Sequence, residues 1–303
     1  MSAILTYHQV MPSFLDQLFC YGERVFGQDC HFSGLHFEPR LSESQRDIRV
    51  PELGRSGRTL QLCYSLQSVE NARRQKDWPW SIRSTTVYHS FDVESGLSNW
   101  IVVKGSESMK KRMMTELDPN NPKSIQNHRF ATLEHAFTYT LSSHLVPSTW
   151  AGENWRWYID FMEDATQEIT RRTLTVTVTQ TANANGRGEK NAGPPPPDHF
   201  SFTDLQEIQY IEEKANTTLL VLKLNTQVLK SLIQNYESLL QLEDFPILLK
   251  ESCQREVAQF ARRVSNIVND LQIQKSRVET LIRLLSDRKA LVSSAPRGHM
   301  GED

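Results

Sequence analysis

Residues 85–105 read TTVYHSFDVESGLSNWIVVKG, and the fold class turns on them. β-Branched and aromatic side chains crowd both arms. The middle, Glu94 to Asn99, gathers the small and polar residues that a reversing chain takes up. Two such runs around a short turn predict an antiparallel hairpin. Toward the N-terminus, GRTLQLCYSL places Leu60, Leu62, Tyr64 and Leu66 on one face of a strand. Before it, CHFSGLHFE repeats bulky residues as a strand requires, and residues 7–26 space Val10, Phe14, Leu15, Leu18, Phe19 and Val25 as a helix, with Pro12 in its first turn. Toward the C-terminus the spacing predicts helices over 106–117, 129–145 and 153–172, the middle one carrying Leu133, Ala136, Phe137, Thr140, Leu141 and Leu145. This order of elements defines an α/β (α+β) domain with a mixed sheet over residues 1–180. The run TLTVTVTQT at its end alternates like a strand, and an edge strand and an extended tail both fit it.

Residues 181–199 then turn rich in Gly and Asn and close on Pro194 to Pro197, the composition of a flexible, proline-stiffened linker. Residues 200–292 are helical throughout. Ser201 with Asp204 fits an N-cap, and Phe200 is placed to staple onto Leu205. Ile208, Ala215, Leu222, Leu229 and Tyr236 recur every seven residues, and EDFP, with Pro246, interrupts the pattern. Val257, Val264, Leu271, Val278 and Leu285 resume it, with Phe260, Ile267 and Leu281 as a second row. The expectation is a long antiparallel helical hairpin or coiled-coil stalk whose interface residues are Val257, Phe260, Val264, Ile267, Leu271, Val278, Leu281 and Leu285. Residues 293–303 read as a disordered tail.

Bulk properties exclude several classes. A net charge of −2 supplies no field for nucleic acid. Cys20, Cys30, Cys63 and Cys253 lie far apart without a C-x-x-C pair, as in a reduced compartment. No signal peptide and no apolar span is legible, so a soluble, intracellular, cytoplasmic protein is expected. The nucleotide-binding, hydrolase and zinc-protease motifs are missing, and no enzyme is expected. Four weaker signals remain. Gly54 to Arg58, GRSGR, forms either a tight turn or a small anion-binding turn between two arginines. His31 and His36 are spaced as two metal ligands across a turn, with no Cys, Asp or Glu at an obvious third-ligand spacing apart from Cys30. His89 and Asp92, three apart in a strand, face opposite sides and do not make a catalytic pair. Trp78, Trp80, Trp150, Trp155, Trp157 and Tyr158 are expected to be mostly structural anchors.

The last helix also turns basic. Lys275, Arg277, Arg283, Arg288, Lys289 and Arg297 stand against Glu279 and Asp287, a net +4. Such an end complements a helix dipole or marks the cytoplasmic approach to a membrane.

LTYHQVMPSFLDQLFCYG, VPELGRSGRTLQLCYSLQSVE and WPWSIRSTTVYHSFDVESGLSNWIVVKG resemble the N-terminal region of fungal CorA-like transporter-domain proteins. FSFTDLQEIQYIEEKANTTLLVLKLNTQVLKSL and the closing SDRKALV resemble the helical region leading to the membrane in the same group. The resemblance implies a cytoplasmic α/β domain, a stalk helix running into a membrane span, a Gly-Met-Asn motif after it, a pentamer, and magnesium or another divalent cation as the transported ion. Gly298, His299 and Met300 do not make that motif, and neither span is present. With those parts missing, the resemblance implies a pore-less N-terminal domain and stalk, unable to conduct ions alone. It would form a homo-oligomer, or bind a partner helix, through the stalk, with Mg2+ sensed at an interface; if the chain is a truncated form of a longer product, the location becomes the membrane. A stand-alone coiled-coil scaffold is the alternative.

Overall fold

In the computed structural model of the protein, residues 2–21, 33–72, 77–104, 106–117, 132–183 and 202–294 are described, with 2, 172–183, 202 and 291–294 described by backbone alone. Cys30, His31, the proline run, Phe200, Ser201 and Arg297 lie outside them. The chain divides into two compact units, each assembled from two separate stretches: Met1–Trp155 with Val221–Gln272, and Arg156–Leu220 with Ile273–Asp303.

The first unit is built on a sheet of β1 (Leu35–Arg40), β2 (Thr59–Asn71), β3 (Trp80–Asp92) and β4 (Ser98–Val103), paired in that order. Every pairing is antiparallel, so the sheet is a meander and not the mixed sheet expected. The 72–79 and 93–97 connections are too short to hold the crossover that a parallel neighbour needs, and the longer 41–58 connection carries only the three-residue helical turn Pro51–Leu53. The 85–105 hairpin forms as its composition requires, with Gly96 at φ +73° in the turn and Asp92 Oδ1 accepting the Glu94 and Ser95 amides.

Both faces of β2 are buried. Leu60, Leu62, Tyr64 and Leu66 face α4 (Leu133–Gly152), as Tyr64 against His144 attests. The opposite side carries Gln61, Cys63 and Ser65, covered by α2 (Ser13–Phe19), while the short α1 (Ser2–Tyr7) precedes it. There Met11 and Phe14 pack on Cys63 and Tyr88, and the polar neighbours are paired: Tyr88 with Gln61 at 3.0 Å, Ser65 with Thr86 at 2.7 Å, and Ser65 with Gln17 at 3.3 Å. The helix expected over 7–26 therefore starts only at Ser13, after Pro12.

α3 (Glu107–Leu117) precedes α4, and α4 runs seven residues past the expected end, through buried Pro147. Pro147 removes the helical donor that would reach the Ser143 carbonyl, and beside it the hydroxyl of Ser148 bonds the His144 carbonyl at 2.7 Å. α5 (Trp155–Asn183) carries the Thr/Val run TLTVTVTQT as helix, not strand. A helix already anchored by packed Tyr158, Ile159, Met162 and Ile169 extends at little cost per residue, and that outweighs a modest β preference.

α6 (Phe202–Leu239) and α7 (Ile247–Ser294) each contribute to both units. In the first unit Tyr236 packs against Phe137 and Phe260, and Gly152 admits Ile267, whose Cγ2 would lie 2.9 Å from a Cβ there. The second unit is a three-helix arrangement, with Tyr158, Met162 and Ile169 of α5, Ile208, Ile211 and Ala215 of α6, and Val278, Leu281 and Leu285 of α7 all buried. Arg277 forks onto Glu163 between α7 and α5, and Lys289 reaches Glu212 between α7 and α6. No described helix is long and apolar enough to cross a membrane.

Candidate functional site

Helical periodicity brings the stalk residues together as the sequence places them, but it turns them inward. Val257, Phe260, Val264, Leu271, Val278, Leu281 and Leu285 are buried inside the single chain, and Ile267 is half-buried. The surface they were expected to offer a second chain is covered by the chain's own elements. In the first unit these are α4 and α6, and in the second they are α5 and α6. A two-helix hairpin would have left its heptads open; the third helix closes them.

What α7 does leave open lies one helical step aside. Ile273 is 59% exposed and Leu284 37% exposed. With Thr280 they form one stripe at i, i+7 and i+11. The stripe borders a groove of about 600 Å3 in the second unit, walled by Glu163 and Gln167 of α5 and by Arg277 of α7. Arg277 Nη2 lies 2.6 Å from Glu163 and 3.7 Å from Asp160, so the groove has an acidic α5 wall and a basic α7 wall. Apolar groups exposed together in this way mark interaction surfaces. Sequence reasoning passed over Ile273 and Leu284 because they fall outside the regular a/d rows.

The remaining candidates resolve into structure. His89 sits in a buried chain: its Nε2 is 3.0 Å from Ser98 Oγ, its Nδ1 is 3.3 Å from His144 Nε2, and His144 Nδ1 is 2.8 Å from the Tyr64 hydroxyl. Trp100 stacks on His89 and donates to Ser98 at 2.9 Å. If Tyr64 donates to His144, each ring nitrogen in the chain finds one partner of the right kind. Burial lowers the pKa of His89 to about 3, and burial reinforced by His89 pushes His144 well below its usual value. Both rings are neutral struts in a closed core. Asp92 does face away from them, as alternation requires.

Gly54 to Arg58 is the tight turn, and it holds an anion of the chain's own. Ser56 donates its amide (2.7 Å) and hydroxyl (2.9 Å) to Asp92. Gly54 and Gly57 take φ +67° and +85°, and a Cβ at Gly57 would lie 2.5 Å from the Asp47 carbonyl oxygen. Arg58 is committed to Glu94 and to the carbonyls of Leu41 and Asp244. His36 is exposed on β1. Among the described residues no group of three His, Cys, Asp or Glu is placed to hold a metal. Cys63 and Cys253 are free thiols; burial raises Cys63 to about 12 and Cys253 to about 11, which removes thiolate chemistry near neutrality. Trp150, Trp155 and Tyr158 are buried anchors, with Trp150 donating to Glu70 and Trp155 to the Ala151 carbonyl.

The class that the fold defines is a four-stranded antiparallel sheet domain carrying long C-terminal helices. Residues 1–174 match the family model of CorA-like transporters, more than half of the chain, and the chain belongs to that family. It is thereby related to divalent-cation transporters. A search of curated proteins found no match.

Proposed function

We propose that this chain acts as the pore-less assembly and regulatory portion of a CorA-like protein: a folded sheet domain whose helices bring copies together, rather than a conduit for ions. The observation that carries this reading is the Ile273–Leu284 groove. Its apolar floor is open in the single chain, and its acidic and basic walls are self-complementary across a two-fold or cyclic contact, α7 of one copy meeting α5 of the next. Magnesium enters as the family's ion. One chain does not supply a fitting donor set among its described residues, so a regulatory ion would require carboxylates from two copies, and no step is assigned to it. A partner helix from another protein is the alternative occupant of the same groove.

Sedimentation of the full chain tests this. The expected result is concentration-dependent self-association in the micromolar range, abolished by Ile273→Asp with Leu284→Asp. Both positions are exposed, so the melting temperature should hold within the small range of surface changes, about 0.5 kcal/mol. A chain that stays monomeric at about 100 μM, with or without magnesium, overturns homo-oligomerisation and leaves the partner helix as the surviving form.

A further inference from the structure

The turn that the sequence offered as an anion site leaves one of its two arginines without a counter-ion among the described residues, and that arginine lines a cavity. Above the sheet face that carries Gln61 and Ser90, the end of α1 and the 47–57 loop enclose a space of about 260 Å3 in the first unit. That volume is at the small end of the range for organic ligands. Its floor comes from neighbouring strands: Thr59 and Gln61 of β2, Ser90 and Asp92 of β3, Asn99 of β4.

The acidic groups of this cup are already saturated. Asp47 accepts from Arg40, from the Thr59 hydroxyl (2.5 Å) and from Gln61 Nε2 (2.8 Å). Asp92 accepts from Ser56 and from the Glu94 and Ser95 amides. The donors are not. Arg55 gives one N–H to the Tyr7 carbonyl at 2.5 Å and lies 4.8 Å over the Tyr7 ring, and it forms no ion pair among the described residues. His8 is kept neutral, its pKa lowered by burial and by Arg55. The amide nitrogen of Asn99 is shielded from solvent and finds no acceptor among the described residues. A turn about χ2, a soft torsion in Asn, would aim it at an acceptor in the cup. Buried donors without acceptors are costly, and their presence in a cavity marks what the cavity lacks. Around the mouth, Tyr7, Ile48, Leu53 and Leu97 are all large, apolar and exposed.

We infer that this cup binds a small organic carboxylate, its oxygens received by Arg55 and Asn99 and its apolar body held between Tyr7, Ile48, Leu53 and Leu97. The surplus of donors calls for an anionic acceptor. The apolar lip calls for a ligand with a hydrocarbon or aromatic body, which an inorganic oxyanion lacks. Nothing in the cup is placed for catalysis, so the role is recognition.

Isothermal titration of the full chain with benzoate, acetate and inorganic phosphate tests the inference. Benzoate should bind saturably below about 10 mM, with acetate and phosphate at least about tenfold weaker. Arg55→Gln should weaken benzoate by about tenfold or more. Because Arg55 also holds Tyr7, Ile48→Glu, on an exposed lip position, gives a second reading: it should weaken benzoate while leaving the melting temperature unchanged. Asn99→Leu should raise the melting temperature of the unliganded chain, by removing an unpaired buried donor, and still lose affinity. No saturable heat with benzoate, or equal affinity in Arg55→Gln and Ile48→Glu, overturns the site. Phosphate binding tighter than benzoate overturns the organic carboxylate in favour of an inorganic oxyanion.

Discussion

The first unit buries polar groups and pairs most of them, the Asn99 amide nitrogen and Gln67 Oε1 being among the exceptions; the second buries mostly aliphatic side chains and keeps its ion pairs at the rim. In the first, Asn225 of α6 is the sharpest case. Its side-chain amide accepts from the Gln67 N–H at 3.0 Å and donates to the Gln67 carbonyl at 2.6 Å. β1 pairs with β2 only as far as Tyr64, so Asn225 acts as a one-residue strand on the edge left open beyond it. In the second unit, Arg277–Glu163 and Lys289–Glu212 are partly solvated, and the core is mostly Ile, Leu, Val and Met, with Tyr158 and with Thr166 and Thr218 bonding back to their own helices. The difference teaches where specificity is held. A core of matched polar groups admits one arrangement, whereas an aliphatic heptad core tolerates several.

The largest expected effect comes from acid. His89 and His144 have folded pKa values below the unfolded value of about 6.5. The unfolded state therefore binds more protons below that pH, and stability falls as pH drops. It should be constant above about pH 7. Below about pH 6 it should decline by up to about 1.4 kcal/mol per pH unit for each histidine, the loss continuing toward the His89 value near 3. Urea melts followed by tryptophan fluorescence measure this, since Trp150 and Trp155 are buried in the first unit. His89→Gln should reduce the slope by about half. An unchanged slope would show that neutral burial of the pair does not govern the first unit. Next in size is Asn225→Leu, which leaves the Gln67 N–H and carbonyl without partners at a cost of about 2–5 kcal/mol. A loss under about 1 kcal/mol would mean that water replaces the amide, and the contrast between the units would weaken.

The heptads over 257–285 and the hairpin at 85–105 were legible because burial and turn chemistry write themselves as periods and as local composition. The alternation in GRTLQLCYSL located β2 as well, but it could not say that Gln61 and Ser65 are also buried, because that depends on α2 and Gln17 arriving from elsewhere in the chain. Asn225 was invisible for the same reason: an Asn in a helix carries no mark of the strand it completes. The groove residues Ile273 and Leu284 were passed over because a pattern of sevens directs attention to the buried rows. In GRSGR the turn and the anion were both readable, but which arginine stayed free depended on Glu94 and Asp244, distant in sequence.

The smallest effect is the one that tests the second unit most directly. Arg277 and Glu163 are about one-third exposed, and their bidentate contact is at the surface. Water screens such a pair, and ordering two long side chains offsets much of the attraction, so its coupling should be about 1 kcal/mol or less. A double-mutant cycle of Arg277→Gln and Glu163→Gln, read by thermal or urea unfolding, measures that coupling free of the other effects of each substitution. It belongs at a protein concentration below that of self-association, so that association cannot add to the signal. A coupling above about 2 kcal/mol would place this pair with Asn225, as a contact that holds one arrangement against others. A small value would leave the aliphatic rows as the main source of stability. It would also leave Arg277 available to meet an acidic wall on another copy, because a guanidinium weakly held at home gives up little when it turns outward.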